Sequence, residues 1–560
     1  VPTSSLSPVK SKLLRVGELR QERATWIARY REISQYLLPY SGRFFPQDRN
    51  RGDKSFNSIY DSTATRAARI LAAGLMAGVT SPARPWFRLA TPDPDLNKAT
   101  AVKQWLADVA QLMRDIFAKS NTYRSLHSQY EELGAFGTAA SIIDDNYDTV
   151  VWHTPLTAGE YMIATDDLGR VNRLAREYEM TVSQMVEKFG IAKCSPTVQS
   201  MYTSNRLSSW IPITHVVEPR GIGERDFHSP LAKDMAWASY YIEAGANNDN
   251  YLRESGYPDF PVLPPRWNVR GGDVYGHGPA FEALCDVKGL QQEQLRKSQA
   301  IDYQTKPPLQ MPTALKGQGK GTLPGGVVYF DQVGSGNAIK SLFDVRLDLG
   351  ALREDIIEVQ HRIDRAFYVD LFLMLADMDS RQPVTATEIA ERKEEKLLML
   401  GPVLERLHDE LLSPMIDTTF AKMVRSGILP PPPPEMHGVE LTVQFISVLA
   451  QAQRAVGLGS MDRLLGTVAS MAQFRPEVLD KIDTDEVVDR YSDMLGVDPA
   501  IIVADDKVAL IRNQRAKQAE AAQAAANAQV AAETASKLGS IDTSKPNAAT
   551  DLMAGLTGYN

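Results

Sequence analysis

The chain has 560 residues and a mass of 61.9 kDa, too much for one simple core, since single cores stop growing near ~250 to 300 residues. It is 43% hydrophobic and 23% charged, with 37 Gly and 33 Pro, which excludes collagenous, mucin-like and wholly disordered chains. The net charge of −8, from 69 acidic and 61 basic residues, excludes a polycation that wraps nucleic acid by neutralising its phosphates.

In chain order, Val1 to Lys12 is a polar, proline-punctuated run, so a tail without a secretory leader is expected there. Leu13 to Leu38 carries Leu19, Trp26, Ile27, Tyr30, Ile33 and Leu37 near the spacing of one buried helical face, and Pro39 stops it. A second helix, Ile59 to Val79, is lined by Ala67, Ala68, Ala72, Ala73, Gly74, Ala77 and Gly78, which permits close helix approach. Ala101 to Lys119 is a third amphipathic helix. From Thr138 to Val217 the apolar runs shorten to strand length between Asp, Gly and Asn turns, giving an α+β region. Trp237 to Pro279, rich in aromatics, Pro and Gly, reads as an irregular packed connection.

Ala280 to Tyr303 is helical by pattern, but beyond Leu290 it is polar on every face, which requires neighbours outside its own core. Gln304 to Val345 has prolines, the loop "LKGQGKGTLPGG" and a short strand, Val327 to Phe330, as a small β insertion. The following helix, Asp348 to about Leu371, repeats Leu349, Leu352, Ile356, Val359, Ile363 and Ala366 as a seam for one neighbour. After the loop "LADMDSRQPV", a long helix starts at the capping box Thr385 to Glu388 and contains Gly401-Pro402 and Pro414, where kinks are expected. Pro430 to Pro434 form a stiff spacer into terminal helices, of which Gln514 to Lys537 has almost nothing to bury, and Ser540 to Asn560 reads as a tail.

Motifs for chemistry fail on context. Gly221-Ile222-Gly223 lacks the third Gly and helix start of a dinucleotide loop, and "GQGKGT" lacks the strand-to-helix setting of a phosphate loop. None of the eight His residues forms a metal-ligand pair, so no metal and no cofactor is expected. Ser7-Pro8-Val9-Lys10 matches SxxK without the helix that motif needs, and no GxSxG occurs. Asp144-Asp145 and Asp166-Asp167 read as turn caps. Two cysteines, Cys194 and Cys285, suit a reducing compartment, and no stretch is long and apolar enough to span a membrane. Catalysis is not expected.

The strings "RATWIARYREISQYLLPYSGRFF", "IYDSTATRAARILAAGLMAGVTSPARPWFRL", "FGTAA", "VYGHGPAFEALCDVKGLQ" and "TATEIAERKEEKLLMLGPVLERLHDELLSPMIDTTF", followed by "GILPPPPP", resemble the head-to-tail connector (portal) proteins of short-tailed double-stranded DNA bacteriophages. The match is dense from about Arg23 to Pro434. The resemblance implies a mostly α subunit with an α+β wing, assembled as a ring of about twelve copies at the capsid vertex. Its parts would be a wing over 1–278 with a tail at 1–12, stem helices at 279–303 and 348–371, a clip at 304–347, and a tunnel loop at 372–384. A long kinked helix at 385–427, a crown region at 428–538 and a flexible tail at 539–560 would follow. Implied partners are double-stranded DNA in the channel, the terminase large subunit during packaging, then tail adaptor and tail proteins, with major capsid and scaffolding protein around the ring. The protein would be assembled in the host cytoplasm and reside in the virion.

Under that resemblance, Asp377, Asp379, Arg381 and Gln382 are expected at a DNA-proximal constriction. Glu354, Asp355, Glu358, Arg362 and Arg365 are candidates for lining the channel, and Lys316, Lys320, Thr322 and Lys340 for docking a partner on the clip. Arg381 and the clip lysines also have a plain reading as solvated loop charges. Twelve helices ~10 Å apart enclose a bore of roughly 28 Å, enough for a duplex of roughly 20 Å. Asp348 to Asp379 holds eight acidic residues against three arginines, a balance that lets phosphate slide instead of holding it. Another ring-forming virion protein, such as a tail adaptor, or a cryptic hydrolase are the alternative classes.

Overall fold

The computed structural model describes residues 7–44, 48, 59–93, 96–226, 229, 231–245, 250–313, 323–330, 340–342, 349–376, 400–436, 438, 439, 441–446, 458–472, 474–495, 503 and 505–539. The chain divides into two compact units, 1–92 with 105–467, and 93–104 with 468–560.

Helix α1 (Pro8–Glu22) starts inside the segment expected to be a tail. Ser7 is its N-cap, accepting from Lys10 N at 3.4 Å, and Pro8 occupies the first turn, where its missing N–H leaves no helix bond unmade. The SxxK match is therefore a helix start. The single helix expected to Leu38 is divided between α1 and α2 (Ala24–Tyr36) at Arg23. That side chain is buried, and its guanidinium donates to the carbonyls of Gly159 (3.1 Å) and Tyr161.

Helix α3 (Thr63–Gly78) uses its small residues as the composition requires. A Cβ on Gly74 would lie 2.2 Å from the Phe372 ring. Strand β1 (Phe87–Ala90) and α4 (Thr100–Lys119) follow, then α5 (Thr122–Phe136), which the pattern reading did not separate. Strands β2 (Ala140–Asn146) and β3 (Val150–Leu156) form a hairpin. The edge of β3 is blunted by Asn121, whose amide donates to His153 O at 2.7 Å and accepts from His153 N at 2.8 Å, mimicking a partner strand.

Strands β4 (Tyr161–Thr165), β5 (Val171–Thr181), β6 (Trp210–Pro219), β7 (Trp237–Glu243) and β8 (Arg253–Tyr257) make a five-stranded antiparallel sheet in that order. Short helices α6 (Val182–Phe189) and α7 (Pro196–Thr203) sit between β5 and β6. Strand β9 (Val262–Leu263) joins β2 in a second sheet, ordered β3-β2-β9. The segment from Trp237 thus contributes three strands, and its other described residues up to Gly278 are irregular, as the composition suggested. Alternation along β4 decides both faces: Met162 and Ala164 pack with Val16 and Leu19 of α1, while Tyr161 and Ile163 pack with Ile142, Leu156 and Val262.

Asp144 and Asp145 lie on β2 instead of in a turn. Asp144 accepts from Tyr257 Oη at 2.9 Å, and Asp145 pairs with the buried Lys422. Asp166 does cap a turn, accepting from Leu168 N (3.0 Å) and Arg170 N (2.8 Å). Gly221 to Gly223 leads into a 3-10 turn, Ile222–Glu224.

Two glycine strings meet here. Gly137, at φ +70°, ends α5, and a Cβ on it would lie 2.4 Å from both Gly276 O and Gly278 N. Nearby, Glu132 is buried and accepts from Thr157 Oγ1 (2.6 Å), Ala158 N (3.1 Å) and Ser41 Oγ. Burial pushes its carboxyl up to about 6 despite those bonds. A raised acid favours folding below its unfolded value near 4.5, and this contribution is lost as pH rises through about 6, a loss of about 2 kcal/mol. Glu132→Gln keeps an acceptor and removes the charge. It should be more stable than wild type by about 1 to 2 kcal/mol at pH 8, with the difference vanishing by pH 4, in paired thermal melts. A less stable variant at pH 8 would contradict this.

The buried His153 works in the opposite sense: burial, then Lys422, pulls its pKa down to about 4, so its stabilising contribution is lost as pH falls from 6.5 through about 4. The pairwise comparison with the Gln variant removes that background.

Helix α8 (Pro279–Thr305) leads to a small sheet of β10 (Leu309–Pro312), β11 (Val327–Phe330) and β12 (Lys340–Ser341), where β10 is central, parallel to β11 and antiparallel to β12. Helix α9 (Leu349–Ala366) ends earlier than expected, Tyr368 takes φ +56°, and α10 (Val369–Ala376) occupies positions expected to open a loop. The cause is local apolarity: Phe367, Val369, Leu371 and Phe372 are all buried.

Residues 400–407 are helical straight through Pro402. The irregularity expected near Pro414 is a π-turn, His408–Leu412, which passes into α11 (Ser413–Ser426) through Ser413 N donating to His408 O. The wider turn relieves the clash between the proline ring and the carbonyl four residues back. Strand β13 (Thr442–Phe445) returns to pair antiparallel with β1. Helix α12 (Leu458–Ala472) precedes α13 (Thr484–Leu495) and α14 (Asp505–Gly539). Within the second unit Arg512 and Asp485 form a two-bond ion pair at 2.6 and 2.7 Å.

Candidate functional site

The paired helices α8 and α9 hold the candidate surface. Pro279 presets the first turn of α8, whose buried residues Ala280, Ala283, Leu284, Val287 and Leu290 stop at Gln291, after which Ala300 alone is buried among its described side chains. On α9 the seam is visible in Ile356, Val359 and Ile363, all buried, and it packs on α8 and α3. The outward positions Glu354, Asp355, Glu358, Arg362 and Arg365 are all exposed.

What fixes the pair to the body is a polar node at Asp61, just before α3. Tyr60 N and Asp61 N donate to Gln291 Oε1 at 2.6 and 2.8 Å, and Gln291 Nε2 donates to Asp61 O at 3.1 Å. Asp61 Oδ2 accepts from Gln294 of α8 and Gln360 of α9, both at 2.8 Å, and Oδ1 accepts from Thr63 N at 2.8 Å. Burial opposes the Asp61 charge, yet these donors hold its carboxyl below the usual range. One carboxylate thus ties both helices to the start of α3. The sequence contains the cap, "DST", but its glutamine partners lie far along the chain and carry no local signal.

Arg66 of α3 grips Asp364 of α9 through both carboxylate oxygens (3.2 and 3.0 Å), and Lys288 of α8 pairs with Glu32 of α2 at 3.0 Å. Asp364 therefore does not contribute free negative charge. The exposed charges of α9 are Glu354, Asp355 and Glu358 with Arg353, Arg362 and Arg365, so its outward face is balanced, and the acidic excess counted from sequence is not carried by this helix. Apart from Arg353, the acids lie in the first half and Arg362 with Arg365 in the second, which complements the helix dipole. Glu293 of α8 has an Oε2 without a hydrogen-bond partner among the described residues, and burial, then the charge of Asp355, raises its carboxyl. Arg362 approaches Asp286 of α8 at 3.7 Å.

Asp377, Asp379, Arg381, Gln382, Lys316, Lys320 and Thr322 lie outside the described residues, as does the capping box at Thr385. Lys340 lies on β12, opposite Gln310 of β10. Among the described residues no group of three or more His, Cys, Asp or Glu is placed to hold a metal ion, and no helix is long and apolar enough to cross a membrane.

The family model described as bacteriophage head to tail connecting protein matches residues 11–502. This chain belongs to that family. Among head-to-tail connecting proteins, it is 57% identical over 550 residues to the "Probable portal protein" of Bordetella phage BPP-1, covering 98% of this chain and 99% of that one. It is 43% identical over 544 residues to the "Portal protein" of Salmonella phage epsilon15, covering 97% of each. A solved chain from the virion of a native gene transfer agent particle aligns at 11% identity and a TM-score of 0.32, over 72% of this chain and 86% of that one. That likeness is too slight to place copies in a ring.

Proposed function

We infer that this connecting protein is a portal subunit, and that its copies form a channel at the capsid vertex for packaging, retention and ejection of double-stranded DNA. The observation that carries this reading is its near-end-to-end identity with two phage portal proteins. A ring of about twelve copies is the assembly that the family resemblance implies, and a head-to-tail interface between identical copies can close in that way. The work of moving DNA would belong to a terminase docked on the ring, and the subunit itself would be a non-enzymatic conduit. Tail adaptor proteins would later take the same end.

The geometry of α8 and α9 suits this role. An exposed, mostly polar pair, anchored to its body by the Asp61 node, the Arg66–Asp364 and Lys288–Glu32 pairs and its apolar seam, is stable when identical pairs surround it. In a ring, Glu354, Asp355 and Glu358 would stack as an acidic band and Arg362 with Arg365 as a basic band ~10 Å away along the axis. The acidic band beside the basic one offsets its attraction for phosphate, so DNA slides. Arg381 and its neighbours Asp377, Asp379 and Gln382 are proposed at the constriction, and Lys316, Lys320, Thr322 and Lys340 at the docking end.

The channel assignment of α9 is tested by replacing Glu354, Asp355 and Glu358 together with Lys. Rings should still form, while the packaged DNA length per head should fall several-fold, because a fully basic band gains salt-dependent phosphate binding. Normal packaging by rings built from this variant would sink the assignment.

A further inference from the structure

Helix α5 lies along the β2–β3 hairpin, and the joint between them is polar. At the start of α5, Asn121 bonds both backbone groups of His153, and about three turns on Glu132 accepts from Thr157 Oγ1 and Ala158 N. Ser125, Gln129 and Glu132 share one stripe of α5, so Gln129 is held alongside Pro155, the cross-strand neighbour of Ser141. Ile143 stands opposite His153, and alternation puts Ser141, Ile143 and His153 on one face of the hairpin. Lys422 of α11 covers the same face through its pair with Asp145.

These side chains are buried: Gln129 is 2% exposed, Ser141 0%, His153 1% and Lys422 4%. Yet Gln129 Oε1, Ser141 Oγ and both ring nitrogens of His153 have no hydrogen-bond partner among the described residues. Gln129 Nε2 donates to Ser125 Oγ at 3.3 Å, which fixes the amide and leaves its oxygen over. Four polar atoms bare in one buried joint would each forfeit a sizeable part of a marginal stability, and protein interiors pair such atoms with protein or with water.

We propose that this joint is a buried hydration site, in which one water bridges Gln129 Oε1 and Ser141 Oγ and others pair with the two ring nitrogens of His153. Water is the occupant the chemistry selects. The bare atoms need both donors and acceptors: an amide oxygen only accepts, a hydroxyl does both, and a neutral imidazole has one nitrogen of each kind on opposite edges of its ring. An ionic ligand has nothing to pair with, because the buried cation, Lys422, already holds Asp145. The Asp145 side chain is itself exposed, which gives water a path in from the surface. A joint held by such directional bonds fixes where the hairpin stands along α5, which apolar packing alone would not specify.

The test uses the full chain. Ser141→Ala and Gln129→Met each remove one partner of the bridging water with little change of shape, and each should lower the folded-to-unfolded ratio about five-fold in urea denaturation. The double variant should lose less than the two combined, because both substitutions act on the same water. In a dry joint the same substitutions delete an unpaired atom and raise the ratio. Cryo-electron microscopy of the wild-type chain, at a resolution that shows ordered water, gives a second reading: density within hydrogen-bond distance of Ser141 Oγ and of the His153 ring is expected. Single variants as stable as wild type or more so, fully independent losses in the double variant, or a map without that density would overturn the site.

Discussion

Arg266→Met should destabilise the first unit by about 3 to 5 kcal/mol, the expected loss when one partner of a buried ion pair is removed. The Arg266 side chain is 4% exposed and Glu410 18%. Its Nε reaches both carboxylate oxygens (3.1 and 3.2 Å), Nη2 reaches Oε1 at 2.6 Å, and its own backbone N donates to Oε2 at 2.9 Å. The guanidinium also donates to Val274 O (3.2 Å) and Gly169 O (2.9 Å). Removing it leaves a carboxylate and two carbonyls short of donors, and Arg406, 3.8 Å from Glu410, compensates in part. Because Glu410 lies in the π-turn, the pair also fixes the helix beyond Pro402 to the strands. Arg266→Met with Glu410→Met should recover most of the loss. Chemical denaturation checks both, and a single variant within 1 kcal/mol of wild type would contradict the role given to this pair.

Gly137→Ala is expected to prevent folding of the same unit. The new Cβ would stand 2.4 Å from two backbone atoms, and at φ +70° the residue is strained as well. Backbone cannot yield as a flexible side chain does, so the overlap adds to the strain and the total exceeds ~3 kcal/mol. Gly427→Ala is the control: φ is +65°, but nothing lies within 4 Å of its Cβ, so it should lose only about 1 to 2 kcal/mol. Soluble, cooperatively melting Gly137→Ala protein with the stability of the control would refute the close approach of the "FGTAA" and "YGHGP" strings.

Legibility in the sequence followed physical locality. The seam of α9, the small face of α3 and the polar turn of α8 after Leu290 were visible because each depends on spacing within one helix. The start of α1 was present in Ser7 and Pro8 but was masked by a proline-rich appearance. Helix α5 and strand β7 were missed for different reasons: α5 adjoins α4 with only a two-residue break, and β7 is buried on both faces, so it has no alternation to read. Contacts across hundreds of residues left no local mark, among them Asp61 with Gln291 and Gln360, and Arg266 with Glu410. Charge was the most misleading signal. Counting acids along the chain took Asp364 as a channel charge, whereas Arg66 neutralises it.

The central claim is that copies of this chain close into a ring around a passage. Native mass measurement combined with negative-stain imaging of the purified full chain tests it most directly. The account predicts a ring of about twelve copies, each of 61.9 kDa, with a central hole wide enough for a duplex. A monomer, or a compact dimer without a hole, at concentrations that saturate assembly would contradict it.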